Sequence, residues 1–164
     1  LVLLCKRPQD RDAYQSLFRD RKVDKIYEAV AAWRDDLAFP LTRQSHMLED
    51  EHAFYRMREA RPEEGLAPNS ETRIECLQRQ GAQALYRLHP ISGKRHQLRV
   101  HMNGLGLPIE GDQFYPLVRR GPDEAEDFAE PLQLLAKSIA FTDPVTGQSR
   151  QFQSQLNLKL AFSA

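Results

Sequence analysis

The sequence predicts an α+β domain: a mixed, largely antiparallel sheet with flanking helices. Three observations carry this. Several β-rich stretches are separated by short turn signals, two stretches show helical periodicity, and 164 residues with 41% apolar and 28% charged content are enough for one domain with a real core.

In chain order, Leu1–Lys6 reads as a buried strand. Pro8 suits a first helical turn, and Ala13, Tyr14, Leu17 and Phe18 recur at helical spacing, so residues 9–20 read as an amphipathic helix. Val23–Trp33 is β-rich and partly alternating, hence a strand. Residues 34–70 hold Pro40, Pro62, Pro68 and Gly65 and read as short strands within loops. Thr72–Gln78 and Ala82–Leu88, joined by Arg79-Gln80-Gly81, form a predicted hairpin. Pro90-Ile-Ser-Gly93 turns the chain. His96–Leu105 follows as a helix with Leu98, His101, Met102 and Leu105 on one face, ended by Gly104 and Gly106. Residues 121–130 are an acidic loop. Leu132–Thr142 and Arg150–Phe152 flank the turn Asp143-Pro-Val-Thr-Gly147.

The chain is electrically balanced, with 23 Lys and Arg against 23 Asp and Glu. Indiscriminate coating of nucleic acid is therefore disfavoured, but a local basic groove is not. Positive charge is gathered between Arg87 and His101, which hold four Lys or Arg and three His with no acid. That is how a site for an anionic partner is built. Lys94 and Arg95 stand at the helix start, where cations oppose the helix dipole, and a bound phosphate would account for them. A solvated basic turn is the competing reading.

Arg99 follows Leu98 in an otherwise apolar helical run, so it points inward and requires a carboxylate partner. Such a pair is catalytic in some proteins and structural in others. His89, His96 and His101 raise the question of a metal, but His96 and His101 do not share a helix face and no Cys, Asp or Glu stands close by in sequence. A zinc site is not expected. Tyr27, in a strand after Lys25, is core with a satisfied hydroxyl on its own evidence. Phe54-Tyr55-Arg56-Met57-Arg58 interleaves aromatic and basic residues, as nucleic-acid surfaces and ordinary strand edges both do. Gly111-Asp112 is a turn dipeptide whose acid serves the turn by default. Cys5 and Cys76 are too few for a disulfide framework and read as two buried free thiols of a reducing, cytoplasmic compartment. No apolar run reaches the ~20 residues of a membrane span.

The stretch His89-Pro-Ile-Ser-Gly-Lys-Arg-His-Gln-Leu-Arg-Val-His-Met102, followed by Leu105-Gly-Leu-Pro-Ile-Glu-Gly-Asp-Gln-Phe-Tyr115, resembles the RluA-type family of RNA pseudouridine synthases. The family pattern is R-P-x-T/S-G-R/K-x-H-Q-I/L-R-V-H, then L-G-H-P-I-x-G-D-x-x-Y. The likeness extends to Leu3-Leu4-Cys5-Lys6, to Val23-Asp-Lys-Ile-Tyr-Glu-Ala-Val30, and to Leu132–Thr142 with its following turn. It covers most of the chain.

The resemblance implies isomerisation of uridine to pseudouridine in ribosomal or transfer RNA, without metal or organic cofactor. It also implies that Tyr27 is the active-site tyrosine, which stacks on the base and serves in proton abstraction. Arg99 would be the arginine that pairs with an essential Asp. Lys94 and Arg95 would lie near RNA phosphates, and His96 beside them and Arg56 of the aromatic and basic run are the further RNA-binding candidates. The family places that Asp in H-R-L-D, a string this sequence does not contain. It would stand immediately before Leu1. Two smaller departures are Leu107, where the family has His, and Leu135-Ala-Lys, where His-Ala is common.

The expectation is that residues 1–164 are the C-terminal part of a catalytic domain. This chain alone should be inactive, and marginally stable or dimeric through an exposed sheet edge. The alternative is a degenerate paralogue that binds RNA without chemistry.

Overall fold

The computed structural model describes residues 1–119, 124, 129–158 and 160. A 3₁₀ turn at Pro8–Asp10 leads into α1 (Arg11–Arg19). Then come β1 (Val23–Ala32), β2 (Leu41–Ser45), β3 (Met47–Asp50) and β4 (Ala53–Glu59). A second 3₁₀ turn at Pro62–Glu64 precedes β5 (Ser70–Gln80) and β6 (Gln83–Pro90). The remaining elements are α2 (Gln97–Gly104), β7 (Leu134–Thr142) and β8 (Ser149–Gln153).

Six strands form one sheet in the order β2-β5-β6-β1-β7-β8, and β3 with β4 makes a separate two-stranded ribbon. Every pairing among the described strands is antiparallel. The predicted hairpin is β5–β6, turning at Gly81-Ala82, where Gly81 takes a φ of 58°. The predicted α+β class stands, and apart from Leu1–Lys6 the predicted strands and both helices fall within a few residues of their expected places.

Alternation along β1 and β6 sends Ala29, Ala31, Ala84, Tyr86 and Leu88 to one face of the sheet, where they meet Ile74 of β5. Helix α2 covers that face: Leu98 and Met102 enter the same core, with Leu107 and Ile109 completing it. Small residues on β1 let the helix approach, and Tyr86 fills the remaining depth and donates its hydroxyl to the Ala32 carbonyl at 2.8 Å. On its other side α2 presents Val100 to the ribbon, packing with Met47, Met57 and Tyr115. Helix α2 is thus clamped between sheet and ribbon. A third, smaller cluster joins Leu17 of α1 to Val23 and Phe141.

Two expectations are corrected. Leu1–Lys6 is not a strand: no described strand pairs with it, and Val2 and Leu4 are largely exposed. Apolar composition alone cannot make a strand without a neighbour to take its backbone hydrogen bonds. The cysteines are not buried thiols either. Cys5 is exposed and Cys76 half-buried, although neither forms a disulfide. The acidic 121–130 loop falls largely outside the described residues.

Candidate active site

A cleft of about 270 Å³ opens where β1, the 91–96 turn and the start of α2 meet. Tyr27 and Lys25 line it from β1, two residues apart and therefore on the same side of the strand. Lys94, His96 and Arg99 line it from the turn and helix. The sequence-predicted Tyr27 and Arg99 are thus brought together by the packing of α2 on the sheet. Burial raises the Tyr27 hydroxyl above its ordinary pKa.

Arg99 points inward as its place in the apolar helix requires, but its partner lies within the chain. Its Nε donates to Asp112 Oδ2 at 2.8 Å and its Nη2 to Asp112 Oδ1 at 2.6 Å, a bidentate pair. The Asp112 side chain is 1% exposed and that of Arg99 14%. Aromatic rings flank the guanidinium, with Phe114 at 4.9 Å and Tyr115 at 5.2 Å from Cζ. The sequence offers Arg99 no carboxylate through H-R-L-D; the structure supplies one from within the chain, Asp112. Asp112 also fulfils its turn role: Oδ1 accepts the backbone N–H groups of Phe114 at 2.8 Å and Tyr115 at 3.0 Å. Gly111 makes the turn possible. Its φ is 71°, and a Cβ there would collide with the Pro131 carbonyl.

His96 is the last residue before α2 and sits in the left-handed region, with a φ of 54°. Its Nδ1 lies 3.2 Å from Tyr115 Oη. That hydroxyl donates to the Met57 carbonyl and accepts the Met57 N–H, each at 2.9 Å. Its one proton being spent, Nδ1–H of His96 is the donor and Nε2 carries the lone pair. Burial first, and then the charges of Arg99 and Arg95, push the His96 pKa down to about 4, so the ring is neutral at pH 7.

Behind the cleft, a buried polar network fixes the helix. Gln97 accepts from Ser92 Oγ at 2.7 Å and from Lys94 N at 3.0 Å, and it donates to the Glu71 carbonyl and to Thr72 Oγ1, both at 2.9 Å. His101, fully buried, meets Thr72 Oγ1 at 2.9 Å through Nδ1. Its Nε2 meets Ser45 Oγ and Ser70 Oγ at 3.0 Å. Ser70 Oγ donates to the Ser45 carbonyl at 2.7 Å, so it accepts from its other neighbours. Every group is satisfied if the Thr72 hydroxyl donates to Nδ1 and Nε2 carries the ring proton. Burial lowers the His101 pKa to about 4.

The other sequence-predicted RNA residues are placed differently. Arg95 is exposed, and its Nη2 donates to the Arg56 carbonyl at 3.2 Å. The Arg56 side chain is 18% exposed, stacks on Tyr115 with Cζ 4.8 Å from the ring centre, and does not line the cleft. His89 lies on β6 with Nε2 3.9 Å from Glu75. Among the described residues no group of three or more His, Cys, Asp or Glu could hold a metal ion, and no helix is long and apolar enough to cross a membrane. Leu107, where the family carries His, is fully buried in the core.

Two site residues were missed from sequence. Asp112 could have been found by asking which acid answers the inward Arg99. Lys25 could have been found from its two-residue spacing to Tyr27.

A family model described as RNA pseudouridylate synthase matches residues 1–104. The chain is 45% identical over 76 residues to the dual-specificity RNA pseudouridine synthase RluA of Vibrio cholerae, spanning 46% of this chain and 29% of that protein. The Escherichia coli protein of the same name is 45% identical over 67 residues, 41% of this chain and 28% of that protein. The chain thus spans under a third of the length of these curated relatives. Among solved structures, human RNA pseudouridylate synthase domain containing 1 superposes with a TM-score of 0.70 at 20% identity, over 91% of this chain and 61% of that one. Human RNA pseudouridylate synthase domain containing 4 gives 0.66 at 23% identity, over 92% and 64%. These structures share the fold.

Proposed function

The chain belongs to the RNA pseudouridylate synthase family, and we propose that it supplies the tyrosine-and-arginine half of an active site that isomerises uridine to pseudouridine in ribosomal or transfer RNA. The observation that carries this is the convergence of Tyr27 and Arg99 on one cleft, from a strand and a helix far apart in sequence. The half-buried Tyr27 ring offers a face for a uracil to stack on. Its hydroxyl, kept protonated at neutral pH by its raised pKa, can serve in proton transfer only with a base-like partner beside it. Arg99 is held by Asp112 along its Nε–Nη2 edge, and its Nη1 stands outside that pair, where a second carboxylate could bond. In this reading that carboxylate is the family's H-R-L-D aspartate. Lys94, exposed at the start of α2, can meet a phosphate, and Arg95 beside it, 3.9 Å from Glu49, adds to the positive field of the rim. The setting is cytoplasmic, and the chain is the C-terminal part of the catalytic domain.

The reaction detaches the base and rejoins it through C5, so the C5 hydrogen is released to water. The test is tritium release from RNA labelled at C5 of uridine. The natural protein containing this chain is expected to release tritium, and the 164-residue chain alone is not. Binding of RNA by the natural protein with no release from any cellular RNA would favour the second reading, a binding paralogue, which the missing H-R-L-D string motivates.

A further inference from the structure

We propose that Lys25 is a phosphate contact for the RNA strand whose base enters the Tyr27–Arg99 cleft; this rests on the RNA reading above. Lys25 stands on the cleft wall beside Tyr27 and is half-buried. Its Nζ donates one long hydrogen bond, 3.4 Å, to the Ser92 carbonyl. The half-buried arginines Arg43, Arg58 and Arg99 each hold a carboxylate, on Glu59, Glu64 and Asp112 respectively. Lys25 has no such ion pair among the described residues. A cation drawn partly out of water without a counter-ion costs free energy, and burial accordingly lowers its pKa.

Among the described residues nothing neutralises Lys25, and the cleft it lines is the open route by which an anion can reach it. No acidic side chain lines that cleft, whose other charged groups are Lys94 and Arg99. Arg99 is already neutralised by Asp112, which leaves the Lys25 ammonium as the uncompensated charge deepest in the wall. Residue 93 keeps it uncovered. A Cβ on Gly93 would stand 3.6 Å from Nζ, and a branched side chain there would shield it. A compact ammonium binds phosphate as a point charge, without the planar register that a guanidinium imposes. Single-stranded RNA brings a phosphate with every base that can be splayed into a pocket.

The experiment is fluorescence anisotropy of a labelled single-stranded uridine oligonucleotide with the natural protein containing this chain, between about 50 and 200 mM salt. Lys25→Met is expected to weaken binding several-fold and to reduce the slope of log K against log salt by about 0.7, one phosphate contact on a single strand. Lys25→Arg keeps the slope. Gly93→Val, which covers the ammonium without removing it, is expected to behave like Lys25→Met and serves if that variant fails to fold. RNA binding with an unchanged slope in Lys25→Met overturns the inference and points to a protein carboxylate as the partner of Lys25. An unmodified natural protein that binds no RNA overturns the RNA reading itself, and this inference with it.

Discussion

Arg99 and Asp112 form a two-point ion pair that ties the middle of α2 to the turn after it, with both charged ends nearly closed to water. The pair fixes the guanidinium by its Nε–Nη2 edge in a residue that lines the cleft. A helix arginine with one loose contact would sample several rotamers. This one is held by two hydrogen bonds and two aromatic rings.

Asp112→Asn keeps the oxygen that accepts the Phe114 and Tyr115 N–H groups but removes the charge. It leaves Arg99 uncompensated and is expected to destabilise the chain by about 3–5 kcal/mol, a fall in melting temperature of order 10 °C for a domain of this size. Combining it with Arg99→Met should recover much of that loss. Thermal unfolding followed by circular dichroism measures both.

His101 makes stability pH-dependent. Its folded pKa, about 4, lies below the ordinary 6.5, so the unfolded chain takes up a proton first as pH falls. Stability from this group is complete above pH ~6.5 and is lost progressively toward pH ~4, by up to roughly 3 kcal/mol. Burial is the main cause, with Arg43 adding and Glu59 opposing. Melting temperature should fall between pH 7 and 5, and His101→Gln should flatten that fall even if it lowers stability throughout.

Tyr27→Phe retains the stacking ring and removes the hydroxyl. In the natural protein it should abolish tritium release while leaving RNA affinity within a few-fold of the original. Tyr27→Ala should cost affinity as well, by about 1–3 kcal/mol for one lost base stack. Parallel release and anisotropy measurements separate the two roles.

Lys94→Ala removes an exposed cation at the start of α2. RNA affinity should fall with the salt slope reduced by about 0.7, and melting temperature should hardly move, since surface charges contribute little to stability.

Much of this was legible in the residues. The alternation of β1 and the spacing of Leu98, His101 and Met102 located the strand and helix that make the cleft. The acid-free stretch around Lys94 marked its rim. Arg99 could be read as inward because its helix neighbours are apolar. What escaped depended on chain reversal. Asp112 reaches Arg99 only because the chain doubles back after α2 through Gly106 and Gly111, both at positive φ. Leu1–Lys6 misled because strand character depends on a neighbour, which composition does not reveal. The buried network of Ser92, Gln97, Thr72 and His101 escaped for the same reason: its members look like ordinary polar residues until β5, the 91–96 turn and α2 are folded together.

The most direct measurement compares the natural protein with its Arg99→Met variant in the release of tritium from C5-labelled uridine RNA. The account expects turnover in the first and a loss of several orders of magnitude in the second, with RNA still bound. A variant that retains turnover to within a few-fold would show that the arginine at the centre of this cleft does not serve the chemistry.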